Sequence, residues 1–277
     1  MTDLINSLPL IIHWDIDPTA FTIPFIDWPV RWYGILFVLG LIVSEYVLFY
    51  IFEQEGKTKK NVEDLAVYVV IGTIVGARLG HVFFYDAMDY LRNPLDILKV
   101  WEGGLASHGG AIGILTAIYL YCRKYKFEFL WIMDRLVIVV CFTGACIRTG
   151  NLMNSEILGT ITDLPWGFVF ENAYPEFLAQ DPRHPAQLYE AVYCIFLMGL
   201  TYWLWKEKRT QLQNGFIFGI FMVVLFTLRF LDEFLKINQE AFENDLPLNM
   251  GQLLSIPFVI AGLYLIFRPQ RKQVSTS

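Results

Sequence analysis

The sequence predicts an all-α integral membrane protein: a bundle of seven transmembrane helices, amino terminus outside and carboxyl terminus in the cytoplasm. Three observations lead there. Hydrophobic residues make up 55% of the 277-residue chain and charged ones 17%, too apolar a balance for an ordinary soluble domain. Hydropathy resolves seven stretches of about 20 residues, each enough to cross a bilayer as a helix. Lysine and arginine gather in every second loop, the signature of cytoplasmic connections. A barrel would need period-two alternation, which the sequence lacks, and helices satisfy their own backbone hydrogen bonds in lipid.

Residues 1–31 read as an external interfacial segment, with Asp3, Asp15, Asp17, Asp27 and no basic start of a cleavable signal peptide. The spans follow near 32–52, 62–85, 105–122, 130–150, 187–205, 215–235 and 248–267. Lys57, Lys59 and Lys60 follow the first span, and Arg123, Lys124 and Lys126 the third. Lys206, Lys208 and Arg209 follow the fifth, and Arg268, Arg271 and Lys272 the seventh, so all four loops agree on one side. The opposite loops carry Asp86, Asp89, Asp96 and Glu102, then Asp163, Glu171, Glu176 and Asp181, then Glu240, Glu243 and Asp245. The longest connection, 151–186, is external and proline-rich, an irregular loop folded onto the bundle.

The whole of 1–277 reads as one membrane domain without repeats. Gly72, Gly76 and Gly80 recur every four residues and make a flat strip for close helix packing; Gly215 and Gly219 repeat the idea in the sixth span. Cys122, Cys141, Cys146 and Cys194 lie in or at the ends of spans, spaced for packing rather than for metal or disulfides. The net charge of −6, spread over external loops, offers nothing to nucleic acid.

Three arginines, Arg78, Arg148 and Arg229, interrupt apolar runs. Each costs about 2.5–3.5 kcal/mol on insertion scales, so each must pair, snorkel or bind something charged. The predicted orientation puts all three near the outer face, with His108, Tyr33, Gln187 and Glu190 at the same level. Arg229 has Asp232 and Glu233 at helical pairing distance. Arg78 could pair with Glu45 or snorkel. Arg148 opens a run with Asn151, Asn154 and Glu156, more polar groups than a span boundary requires. His108 stands before Gly109 and Gly110 where a helix begins, and glycines permit close approach of a ligand. Arginine's planar fork suits phosphate. From the residues alone this is a handler of anions or anionic lipids, which leaves transporter, phospholipase and transferase open. A transporter would place its charges at the midplane between inverted repeats; a serine hydrolase on adjacent Ser107 and His108 lacks the geometry of a dyad.

The motifs are more specific together. The chain resembles the prolipoprotein diacylglyceryl transferases of bacteria along nearly its whole length. The resemblance rests on Arg31-Trp32-Tyr33-Gly34, on Gly76-Ala77-Arg78, on His108-Gly109-Gly110 and on the run Arg148, Gly150, Asn151, Asn154, Glu156 and Gly159. Arg183-His184-Pro185-Ala186-Gln187-Leu188-Tyr189-Glu190 and Arg229-Phe230 with Glu233 complete it. Departures are Ile147 where relatives have glycine, Leu152 where they have phenylalanine, and Leu225 where many have tyrosine. The resemblance implies transfer of diacylglyceryl from phosphatidylglycerol to the lipobox cysteine of a preprolipoprotein signal peptide, at the outer leaflet of a bacterial cytoplasmic membrane. His108, Arg148 and Arg229 would be catalytic; Tyr33, Arg78, Asn151, Asn154, Glu156, Gly159, Gln187, Glu190 and Glu233 would bind or orient. No metal or other cofactor is implied, since no phosphate loop, dinucleotide fingerprint or metalloprotease motif is present. The expected partners are phosphatidylglycerol, the signal peptide and membrane lipids.

Overall fold

The structure, a computed structural model, describes residues 11–85, 87–237 and 246–269. The predicted acids Asp3, Asp86, Glu240, Glu243 and Asp245, and the basic Arg271 and Lys272, lie outside them. Among the described residues, seven helices of 17 to 26 residues occupy the seven predicted stretches: α1 (Trp32–Gln54), α2 (Lys59–Phe84), α4 (Ser107–Tyr125), α5 (Phe129–Met153), α6 (Ala186–Lys208), α7 (Phe216–Asp232) and α8 (Met250–Phe267). The short α3 is Ala87–Arg92. Five of the seven (α1, α2, α5, α6 and α8) are long and apolar enough to cross a membrane. The other two are α4, which opens on Ser107-His108 and carries Arg123 and Lys124 in its last turn, and α7, which has 17 residues. The protein is a helical, multi-pass membrane protein. Its helices are supplemented by four short strands the hydropathy did not show: β1 (Ile12–Trp14), β2 (Thr19–Ile23), β3 (Trp28–Arg31) and β4 (Phe168–Phe170).

The chain packs as two compact units, 45–135 and the remainder. In the 45–135 unit the glycine strip does what its spacing suggests. A methyl group on Gly80 would lie 2.6 Å from Cα of Gly109, and one on Gly76 the same distance from Cα of Gly113, so α2 and α4 meet backbone to backbone. Dispersion and backbone contact then stand in for the hydrophobic effect, which lipid removes. At the other end of these helices Tyr121 stacks on Phe127, Phe127 on Trp131, and Trp131 meets Phe52 edge-on. Beside this aromatic layer the buried Arg135 grips Glu55 with two nitrogens, at 3.0 and 2.6 Å. A bidentate pair of this kind removes both charges together, the arrangement that makes burial tolerable.

In the second unit, α7 and α8 cross at Gly219 and Gly262, and Phe226 stacks on Phe258 at 4.3 Å. Gly40 of α1 rests on Thr143 and Cys146 of α5, while the Ser44 hydroxyl donates to the Val139 carbonyl. The 151–186 loop is folded down as expected, by means that were not. Strand β4 pairs in parallel with β1, over 150 residues earlier in the chain, and β2 forms an antiparallel hairpin with β3. Leu152, Leu158, Phe168, Phe170 and Ala173 bury a small core beneath Ile12 and Trp14. Residues 158–160 are then tied to two segments at once: Gly159 N donates to His184 O, Thr160 N to Leu235 O, and Ile237 N to Leu158 O. This triple tie brings the end of α5, the start of α6 and the end of α7 together.

Candidate active site

The site grows from the end of α5. Gly150 has no side chain because a methyl there would lie 2.7 Å from the Tyr33 ring, which lies across the helix at that point. After Met153 the helix stops, and Ser155 and Ile157 take left-handed backbone angles, φ 52° and 55°. A β-branched residue in that region is strained. The strain turns the chain so that Glu156 faces back to α5: its carboxylate accepts from Asn151 and Asn154 Nδ2, each at 3.1 Å. Gln187, fully buried, donates to the Glu156 carbonyl and holds the turn from α6. Asn151 Oδ1 accepts in turn from Arg148 Nη1 at 3.4 Å. The predicted group Arg148, Asn151, Asn154, Glu156 and Gln187 is thus one connected network.

Beside it lies a cavity of about 540 Å³ lined by Trp28, Val30, Arg31, Tyr33, Asn151, Asn154 and Glu156, among others. That is within the usual size for a small-ligand site, with a few convergent polar groups on an apolar wall. Hairpin β2–β3 and the start of α1 build one wall, the strained turn the other. Arg31, which the sequence showed only as part of a motif, is the cation on its rim.

A second set of charges joins Arg148 through Glu190. Arg148 Nε lies 2.6 Å from Glu190 Oε2, and Glu190 is 2% exposed in its side chain. Its other oxygen is 2.7 Å from Lys236 Nζ. Lys236 also meets Asp232 at 3.0 Å and Glu233 at 3.3 Å. Burial alone would lower the ammonium's pKa; the pull of Glu190, Asp232 and Glu233 outweighs it and holds Lys236 above its ordinary value. Glu233 in turn approaches Arg229 Nε at 3.7 Å and accepts from Asn249 Nδ2 at 3.2 Å. Gly251 gives it room, since a methyl there would sit on the carboxyl group.

Several expectations need correction. Asp232 does not pair with Arg229 as the helical spacing suggested, because Lys236 one turn further on takes it. Among the described residues Arg229 keeps the long contact with Glu233, and its side chain is 40% exposed. Arg78 neither pairs with Glu45 nor snorkels. It is buried, and its nitrogens donate to the carbonyls of Ile97 (2.9 Å), Gly103 (2.6 Å), Gly104 and Asp96, with the Tyr90 ring 5.0 Å away. It clamps the 96–104 loop within the 45–135 unit. Gly159 supplies close approach to the His184 and Leu235 carbonyls. His108, the second residue of α4, is exposed and belongs to the 45–135 unit.

Lys236, the hub of the second charge set, was missed. In sequence it is one more cation just past a span, and its partner Glu190 lies 46 residues away. The i, i+4 spacing from Asp232 was the available signal.

Residues 18–268 match the protein-family model described as prolipoprotein diacylglyceryl transferase. A phosphatidylglycerol–prolipoprotein diacylglyceryl transferase of Porphyromonas gingivalis is 46% identical, over 97% of this chain and 98% of the relative. Relatives of the same name from Chloroherpeton thalassium and Bacteroides fragilis are 44% and 41% identical, over 93% and 95% of this chain and 94% and 96% of their own lengths.

Proposed function

The chain belongs to the prolipoprotein diacylglyceryl transferase family, and from that premise we propose how its residues carry the reaction. The activity is transfer of a diacylglyceryl group from phosphatidylglycerol to a prolipoprotein. In our reading the acceptor is the lipobox cysteine of a signal peptide. Its thiolate sulfur attacks the glyceryl carbon that bears the phosphate. The carbon–sulfur bond forms as the carbon–oxygen bond breaks, leaving a thioether and glycerol 1-phosphate, and the thiol proton passes to a base.

The observation that carries this reading is Arg148: a guanidinium held at Nε by Glu190 and tethered through Asn151 to Glu156, beside a cavity of headgroup size. Arg148 and the more exposed Arg229 hold the phosphate and offset the charge that grows on the leaving oxygen. Tyr33, Asn151 and Asn154 line the headgroup side; Glu156, Gln187, Glu190 and Glu233 orient the cations. His108 takes the thiol proton, a role supported by an exposed imidazole followed by two glycines. A free thiol near pKa ~8.5 is mostly protonated at neutral pH, so a base is useful. The nucleophile belongs to the substrate, so no nucleophilic triad is required of the enzyme.

We further propose that all seven long helices span, with the amino terminus outside, the carboxyl terminus in the cytoplasm and the site at the outer leaflet of a bacterial inner membrane. The distribution of basic loops supports it. The test is release of glycerol phosphate by purified protein. It should require phosphatidylglycerol and a lipobox peptide together; release from lipid alone would make the protein a phospholipase and refute the transferase reading.

A further inference from the structure

Lys236 is 4% exposed in its side chain, and its ammonium faces three carboxylates, Glu190 at 2.7 Å, Asp232 at 3.0 Å and Glu233 at 3.3 Å. The ammonium donates hydrogen bonds to Glu190 and Glu233 and keeps Asp232 at ion-pair distance, so its charge is directed at these acids. Two of these acids are shared. Glu190 touches Lys236 with one oxygen and Arg148 with the other. Glu233 Oε1 lies between Lys236 and Arg229. The lysine thus shares one acid with each arginine and is not among the residues that line the cavity.

We propose that Lys236 is a positioning residue for the anion site: it takes up the charge of Glu190 and Glu233 so that these acids orient Arg148 and Arg229 without neutralising them. This deepens the transferase reading and rests on it. The physical reason is a matter of charge balance. Glu190, at 2% exposure, cannot share its charge with water. Paired with Arg148 alone it would cancel the guanidinium and leave little attraction for phosphate. With Lys236 on its other oxygen the carboxylate is already compensated, and Arg148 keeps a positive field. Glu190 meets the guanidinium at Nε and Asn151 takes only a long 3.4 Å bond from Nη1, so the Nη nitrogens are the ones suited to phosphate oxygens. Asp232 completes the balance: three acids face Lys236, Arg148 and Arg229.

The experiment measures initial rate against phosphatidylglycerol fraction at fixed lipobox peptide, for wild type, Lys236→Met, Glu190→Gln and the double variant. Lys236→Met should raise the lipid fraction needed for half-maximal rate about tenfold, with a smaller change in saturated rate. The double variant removes one charge of each sign and should return that requirement to within about threefold of Glu190→Gln alone, a strongly non-additive cycle. A lysine that touches phosphate itself would leave the double variant at least as impaired as Lys236→Met, and independent losses would simply multiply; either result overturns the proposal. An unchanged lipid requirement in Lys236→Met does so too. If Lys236→Met is not recovered folded, the charge-balanced double variant should be; failure to recover it also counts against the proposal. Arg148→Gln, run alongside, separates the two levels. An unaltered lipid requirement in that variant refutes the transferase site itself, whereas a raised one with an additive Lys236–Glu190 cycle refutes only the role of Lys236.

Discussion

Arg148 and His108 differ in what fixes them. Arg148 is held by Glu190 and Asn151, so its replacement by lysine keeps the charge and loses the fork. Arg148→Lys should cost about tenfold or more in kcat/KM, since charged hydrogen bonds contribute about 1.5–3 kcal/mol each. Near-normal kcat/KM would show that charge alone suffices. His108→Gln should lower the saturated rate by about 10²–10⁴-fold, the usual range for a general base, and the loss should shrink as pH rises toward the thiol pKa. A change confined to the lipid requirement would make His108 a headgroup contact instead. Most of the site was legible at this scale because its residues sit close together in sequence: Arg148, Asn151, Asn154 and Glu156 span nine positions. Lys236 was not, because its meaning depends on Glu190, and a contact 46 residues away leaves no local pattern.

Among the elements, the helix pair α2–α4 depends on glycine. Gly76→Leu should sharply reduce folded yield, as side-chain atoms would be forced into the backbone of α4, and overpacking costs about 1–3 kcal/mol even in milder cases. Gly199→Ala on α6, where a methyl meets nothing within 4 Å, should be silent in the same assay. Equal losses at both positions would point to a general intolerance rather than to packing. Arg78→Gln should likewise reduce folded yield more than the specific activity of what folds, because its nitrogens secure the loop carbonyls of Asp96, Ile97, Gly103 and Gly104. Helix ends were readable to within three residues, since apolar runs stop where lipid stops. The strands were hidden: they are three to five residues long, too short for a period, and β1 finds β4 only after most of the chain is in place.

On the scale of the whole molecule, orientation is carried by loop charge. In a variant freed of its four buried cysteines, Lys57→Cys, between α1 and α2, should be shielded from impermeant thiol reagents in intact cells, and Asp163→Cys, exposed in the 151–186 loop, should be labelled. The reverse pattern would place the site at the wrong leaflet. The central claim is that this chain forms a new carbon–sulfur bond, and the mass of the acceptor reports on it directly. Purified protein, a lipobox peptide and phosphatidylglycerol of defined acyl chains should yield peptide heavier by one diacylglyceryl group, with one glycerol phosphate released for each. A peptide of unchanged mass, with the wild-type protein folded and lipid present, would contradict the account.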